Sequence, residues 1–176
     1  MEKSKKQIGK NIVLIGLMGS GKSVLGRKLS KSLKYKFYDS DKSIEKFTGT
    51  SIIDIFEKFG ENYFREVEEK IVIQLLAKQK SVISLGGGSI LSPIIRKTIT
   101  EKSMSIYLKV DIDILVERLS KSYKRPLLKG ANIKNKLSKL YEERKIFYNK
   151  SNIIIENNDN VGDVINLLKN KIDLNE

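Results

Sequence analysis

Residues Gly16-Leu17-Met18-Gly19-Ser20-Gly21-Lys22-Ser23 follow the pattern G-x-x-x-x-G-K-S. Glycines at this spacing let the backbone turn tightly, so that successive N–H groups point into a shared hollow. A helix starting at Lys22 would add its partial positive charge beneath an anion held there. Phosphate chemistry is what such a loop serves: Lys22 can span the β- and γ-phosphates of a nucleoside triphosphate, and the Ser23 hydroxyl can ligate Mg²⁺. Gly19, Ser20, Gly21 and Val24 complete the ATP-binding residues expected in and after the loop. The related dinucleotide pattern G-x-G-x-x-G fails, because Val24 stands where its last glycine would be.

Asp39 and Asp41 stand two residues apart, where the strand-like run Lys36–Asp39 ends. Side chains two apart on a strand leave on the same face, and strand C-termini line the ligand crevice of parallel α/β sheets. One carboxylate there suits a metal ion and the other a hydroxyl nucleophile. The alternative is a cap for the helix starting at Lys42. Arg65 opens a helix ahead of Glu68 and Glu69, and an i,i+4 surface pair with Glu69 would account for it equally. Gly86-Gly87-Gly88 ends another strand-like run. Three glycines there mean either close approach of some group to the backbone or a turn with positive φ. Arg125 heads Arg125-Pro126-Leu127-Leu128-Lys129-Gly130, a loop too charged to pack by itself, which suits a mobile lid over about residues 121–132. Arg144, in Tyr141-Glu142-Glu143-Arg144, offers a further guanidinium or simply a solvated helix face.

The elements that must position these groups alternate in type. Strand-like runs at Asn11–Gly16, Lys36–Asp39, Ser81–Leu85, Ser105–Lys109 and Asn152–Glu156 are separated by helical patterns. The helices are expected at Lys22–Leu33, Lys42–Phe59, Glu61–Lys78, Ile94–Thr100, Ile112–Lys121, Lys134–Tyr148 and Val161–Ile172. In the first, Leu25, Leu29 and Leu33 recur at i+4 steps; in the last, Val161, Val164, Ile165, Leu168 and Ile172 share a face. Five strands alternating with helices predict an α/β fold of three layers, a five-stranded parallel sheet between helices. One domain over residues 1–176 accommodates it.

Composition narrows the chemistry. The 176 residues include no His, no Cys and no Trp. A Ser-His-Asp or Cys-His nucleophile, thiol redox chemistry and the usual zinc sites are therefore excluded. Any metal must be a hard ion on oxygen ligands, and any general base a carboxylate, Lys or Tyr. The net charge of +13 is concentrated between Arg118 and Lys150, where eleven Lys and Arg face only Glu142 and Glu143. Such a field draws in nucleic acid or a small polyanion such as ATP, or is a solvated lysine-rich face. No stretch approaches the roughly 18 apolar residues that span a bilayer. The charged start, Met1–Lys10, lacks the form of a signal peptide. A cytoplasmic protein without membrane partners is expected. Guanine-reading motifs are present only by letter: Asp159-Asn160-Val161-Gly162 and Asn170-Lys171-Ile172-Asp173 lie crowded at the C-terminus, the second inside an amphipathic helix.

Six landmarks occur in one order: GLMGSGKS, DSD at 39–41, FRxxEE from Phe64, GGG at 86–88, RPLL from Arg125, and the Glu143-Arg144 of YEERKIFY. In this order and near this spacing they resemble the shikimate kinase family, from about Lys10 to Leu168. The resemblance implies a P-loop kinase of nucleoside-monophosphate-kinase-like architecture. Its reaction would move the γ-phosphate of ATP to the 3-hydroxyl of shikimate, on the route to chorismate and the aromatic amino acids. It implies that Lys22, Asp41 and Arg125 are catalytic, with Asp41 holding the shikimate hydroxyls and accepting a proton. Arg65 and Arg144 would grip the carboxylate, and the Gly86, Gly87 and Gly88 backbone would meet the ring. Arg125 would be the lid arginine on the phosphates and Arg118 would lie near the adenine. Ser23 would ligate Mg²⁺ directly and Asp39 through water. Elementary chemistry agrees, since forked guanidinium pairs suit a carboxylate and phosphoryl transfer needs mainly positioning and neutralisation.

Two departures stand out. Ile146-Phe147 precede Tyr148 where the family usually has Pro-Leu, and no adenine contact is evident among Glu156–Asn160. Gluconate kinases share the loop and the size but not GGG and RPLL in this order. A nucleic-acid-binding NTPase would interleave aromatic residues with the basic ones for base stacking. Only Tyr123, Tyr141, Phe147 and Tyr148 are available, and the last two suit helix packing. ATP and shikimate are thus the expected partners, Mg²⁺ the cofactor, nucleic acid is not expected, and a monomer is the expected state.

Overall fold

The computed structural model describes residues 10–120, 132–158 and 161–173. β1 (Asn11–Ile15) is buried at every position, as the apolar run Ile12–Ile15 requires of a central strand. It pairs in parallel with β3 (Ser81–Ser84) on one side and β4 (Ser103–Lys109) on the other. β2 (Lys36–Asp39) joins β3, and β5 (Ile153–Glu156) joins β4, both also parallel. The order is therefore β2-β3-β1-β4-β5, the five-stranded sheet expected. Register aligns Asp39 and Leu14 with Ser84, so the ends of β1, β2 and β3 open on one edge.

Alternation along the strands divides the core in two. Val13, Ile15, Ile83 and Tyr107 pack under α2 (Ser40–Thr48), α3 (Ile52–Leu76), α4 (Pro93–Lys102), α5 (Ile112–Ser120) and α6 (Ile133–Tyr148). Ile12, Leu14, Val82, Ile106 and Leu108 pack under α1 (Lys22–Leu33) and α7 (Val161–Asp173). Three layers result.

The helix expected over Lys42–Phe59 is two helices. Gly49 ends α2 at φ 70, where a left-handed residue costs glycine nothing, and Ser51 restarts the chain by accepting from the Asp54 N–H. The break expected at Gly60 exists: its φ 79 and ψ 175 are not helical, and they divide α3 into two helical stretches that meet at a kink. Asn170–Asp173 lies within α7, so it does not follow a strand as a guanine-reading motif would. Residues 121–131 of the expected lid, with Arg125, lie outside the described residues, as do Asp159-Asn160; Asn132, the lid's expected end, caps α6.

Candidate active site

A cleft of about 290 Å³ lies at the C-terminal edge of the sheet, beside the point where the strand order reverses around β1. Gly19, Gly21, Lys22, Ser23 and Val24 line one end, Asp39 and Asp41 the floor, Gly86 and Gly87 the other end, and Arg118 a flank.

The end expected to hold phosphate is built from backbone. Gly21 takes φ 89 immediately before α1, and no side chain caps that helix. By contrast α2, α3, α4 and α6 are capped by Asp39, Ser51, Ser92 and Asn132. The first-turn N–H groups of α1 are thus left for a ligand, which is how a helix N-terminus binds phosphate. The Lys22 ammonium crosses the loop and donates to the carbonyls of Gly16 (2.8 Å) and Leu17 (2.9 Å). Ser20 does not line the cleft: it is buried, and its carbonyl accepts from Asn157 Nδ2 at 2.7 Å. Asn157 is 2% exposed, and its own carbonyl accepts from Arg118 Nη2 at 2.9 Å. One residue after β5 therefore ties the phosphate loop to the flanking arginine.

Asp39 does two things at once. Its Oδ1 caps α2 through the Asp41 and Lys42 N–H groups, and its Oδ2 accepts from Ser23 Oγ at 2.5 Å. Asp39 is thus a helix cap whose second oxygen still faces Ser23, whereas Asp41 occupies the first turn of α2 and faces the glycines. The Ser23 and Asp39 oxygens form a hard donor set suited to Mg²⁺. Among the described residues no cluster of three or more His, Cys, Asp or Glu could hold a metal alone. A magnesium ion that takes its remaining ligands from phosphate and water fits that pattern.

The glycine triplet resolves in favour of close approach, since none of its members has positive φ. A Cβ on Gly86 would lie 2.6 Å from Asp41 Oδ1, and one on Gly88 would lie 2.4 Å from Arg65 Nη1. A Cβ on Gly87 would lie 3.4 Å from Arg144 Nη1 and 3.5 Å from the Gly16 carbonyl of the phosphate loop. Three consecutive residues thus each meet one of the three predicted acceptor-binding side chains. Ser40, fully buried, accepts from the Gly86 N–H at 2.8 Å and pins the turn to α2.

Arg65 pairs with Glu68 at 2.6 Å and Glu61 at 3.0 Å, not with Glu69, whose carboxylate takes the Ser92 hydroxyl instead. Burial opposes the charge on Arg65, yet Glu68 and Glu61 outweigh it and hold the guanidinium above the usual arginine value. Glu68, 2% exposed, also accepts from Ser89 Oγ. Arg144 is no solvated helix residue: it is 7% exposed, donates to the Gly87 carbonyl at 3.0 Å, and has a buried Nε without a partner. Tyr148 Oη donates to the same carbonyl, and burial pushes that phenol up to about 12, against the opposing pull of Arg144. Its ring stacks on Tyr107 at 4.8 Å.

Sequence reasoning did not single out Glu68 as a brace, nor Ser40 or Asn157. Only Glu68 carried a signal, its place in FRxxEE at i+3 from Arg65. Among the described residues no helix is long and apolar enough to cross a membrane.

Comparison with known proteins gives the family of the chain. A family model described as shikimate kinase matches residues 18–172. The shikimate kinase of Zymomonas mobilis is 43% identical over 139 residues, 79% of this chain and 79% of that one. A solved shikimate kinase from Acinetobacter baumannii, in complex with shikimate, has a TM-score of 0.91 at 32% identity, covering 97% of this chain and 96% of its own. A gluconokinase from Sinorhizobium meliloti has a TM-score of 0.62 at 14% identity, covering 97% of this chain and 100% of its own, a likeness of fold alone. Agreement of this extent in sequence and in fold places the chain in the shikimate kinase family, and its activity is that of a shikimate kinase.

Proposed function

We propose that the cleft holds ATP with Mg²⁺ at its phosphate end and shikimate at its glycine end, and that the γ-phosphoryl group passes to the 3-hydroxyl. The observation that carries this reading is the Gly86–Gly88 turn, which faces Asp41, Arg144 and Arg65 in succession and leaves room at Gly87 for little more than a Cβ before the phosphate loop. Acceptor groups and donor loop are thereby held a few ångströms apart, the arrangement an in-line transfer needs.

In this reading Asp41 accepts a hydrogen bond from the 3-hydroxyl and takes its proton as the oxygen attacks phosphorus. The new O–P bond forms while the bond to the β-phosphate oxygen breaks, and ADP leaves with that electron pair. Arg65 and Arg144 fix the carboxylate; a bound carboxylate would give the orphaned Arg144 Nε its acceptor. Gly86, Gly87 and Gly88 let the ring approach the backbone. Lys22 and the open N–H groups of α1 hold the phosphates, with Gly19, Gly21 and Val24 around them and Ser20 fixing the loop from behind. Ser23 and Asp39 would hold Mg²⁺, which when bound neutralises charge on the phosphate oxygens. Arg118 flanks the adenine. Arg125 is assigned to the transferring phosphoryl group, from a lid at about residues 121–132. The enzyme works as a single-domain monomer in the cytoplasm.

With Mg²⁺ and ATP, the purified protein should release ADP rapidly when shikimate is added and not when gluconate is. Equal release with gluconate would overturn the assignment of the acceptor.

A further inference from the structure

A second cavity, of about 240 Å³, opens between α4 and the C-terminal end of α6 and shares no lining residue with the active-site cleft. Ile90, Ile99 and Phe147 give it apolar walls, while Arg96, Lys97 and Lys150 supply cations; no carboxylate lines it. Cations brought together without an anion repel one another, and a bound anion relieves that cost.

Arg96 is fixed in place. Its Nη1 donates to the carbonyls of Ile90 and Leu91, both at 2.8 Å, and its guanidinium carbon lies 4.0 Å from the centre of the Phe147 ring. Those two bonds use the Nη1 hydrogens. Nε and Nη2 bond to none of the described residues, and together they form the edge of a guanidinium that receives a carboxylate as a fork. Lys97 and Lys150 likewise have no acidic partner among the described residues. A preformed fork, two further cations and an apolar wall define one ligand class.

We propose that this cavity binds a small organic carboxylate with an apolar body, at a site separate from both ends of the catalytic cleft. The proposal stands apart from the assignment of the acceptor, because it is read by binding and not by turnover.

Benzoate is a suitable probe, since a cavity of about 150 Å³ already accommodates a benzene ring. Titration of the full chain, followed by amide chemical shifts, should give saturable changes around Arg96, Lys97 and residues 147–151. Saturating shikimate should leave the benzoate affinity within about twofold, as expected of independent sites. The exposed double variant Lys97→Glu/Lys150→Glu should weaken benzoate by about tenfold or more while shikimate turnover is kept. Benzylamine, of the same shape and opposite charge, should not bind. Displacement of benzoate by shikimate, or unchanged affinity in the double variant, would place the binding elsewhere and overturn the proposal. So would equal binding of inorganic phosphate, which would reduce the cavity to an unselective patch of charge.

Discussion

The two proposed ends of the cleft, one for phosphate and one for the acceptor, are built in opposite ways. The phosphate end comes from one continuous stretch, residues 16–23, whose geometry is set by glycine φ angles and an uncapped helix start. The acceptor end is assembled from Asp41 on α2, Arg65 on α3, Arg144 on α6 and the turn after β3. Local backbone fixes the first; tertiary packing fixes the second. A change at a distance should therefore disturb the acceptor far more readily than the nucleotide, and kinetic constants for the two substrates should separate.

The largest separation is expected at Asp41. Asp41→Asn keeps the shape and the first-turn position but loses the proton acceptor, so kcat should fall by roughly two to four decades, the usual contribution of a positioned base. ADP affinity, measured by direct titration, should stay near wild type because the phosphate loop is untouched. Near-normal turnover would reduce Asp41 to a member of the α2 first turn.

The glycine triplet offers a finer cut. In Gly88→Ala the new Cβ would lie 2.4 Å from Arg65 Nη1 and 2.7 Å from Nη2, so the guanidinium must move. Loss of one charged hydrogen bond predicts a shikimate KM raised by about tenfold or more, with the ATP KM nearly unchanged. Gly87→Ala meets Arg144 at 3.4 Å and the Gly16 carbonyl at 3.5 Å, close to ordinary contact. Its effect should be smaller but shared, because Gly87 stands between the two ends. Equal shifts of both KM values in Gly88→Ala would break the distinction.

The same contrast governs what could be read from sequence. The phosphate loop was legible because its residues are adjacent and its chemistry requires that spacing. The sheet was legible because alternating apolar runs leave few topologies for five strands. The split between α2 and α3 could have been read from Gly49, Ser51 and Asp54, a helix stop followed at once by a cap, but it was hidden by the apolar pattern running through it. Asn157 could not have been read: nothing in Glu156–Asn158 marks which amide reaches Ser20, more than a hundred residues earlier. Glu68 and Glu69 are adjacent and alike, and only the packed helix decides that the first turns inward to Arg65 while the second meets Ser92.

Arg65 carries the comparison down to a single side chain, because its two carboxylate partners differ in setting. The Glu68 side chain is 3% exposed and that of Glu61 62% exposed. Glu68→Gln leaves the buried neighbour Ser89 and the guanidinium without their charged partner, an uncompensated loss worth about 1–3 kcal/mol. The shikimate KM should rise by up to about tenfold, and thermal stability should fall with it. Glu61→Gln removes a partner that water already screens, and exposed pairs contribute little. Here the shikimate KM should change by less than about twofold, and the difference should vanish near 1 M salt, where screening acts within about 3 Å. Measuring both variants at low and high salt separates the two partners. If Glu61→Gln matched Glu68→Gln and the loss survived high salt, Arg65 would owe its position to the exposed face of its own helix, and the acceptor end would be as local in origin as the phosphate end.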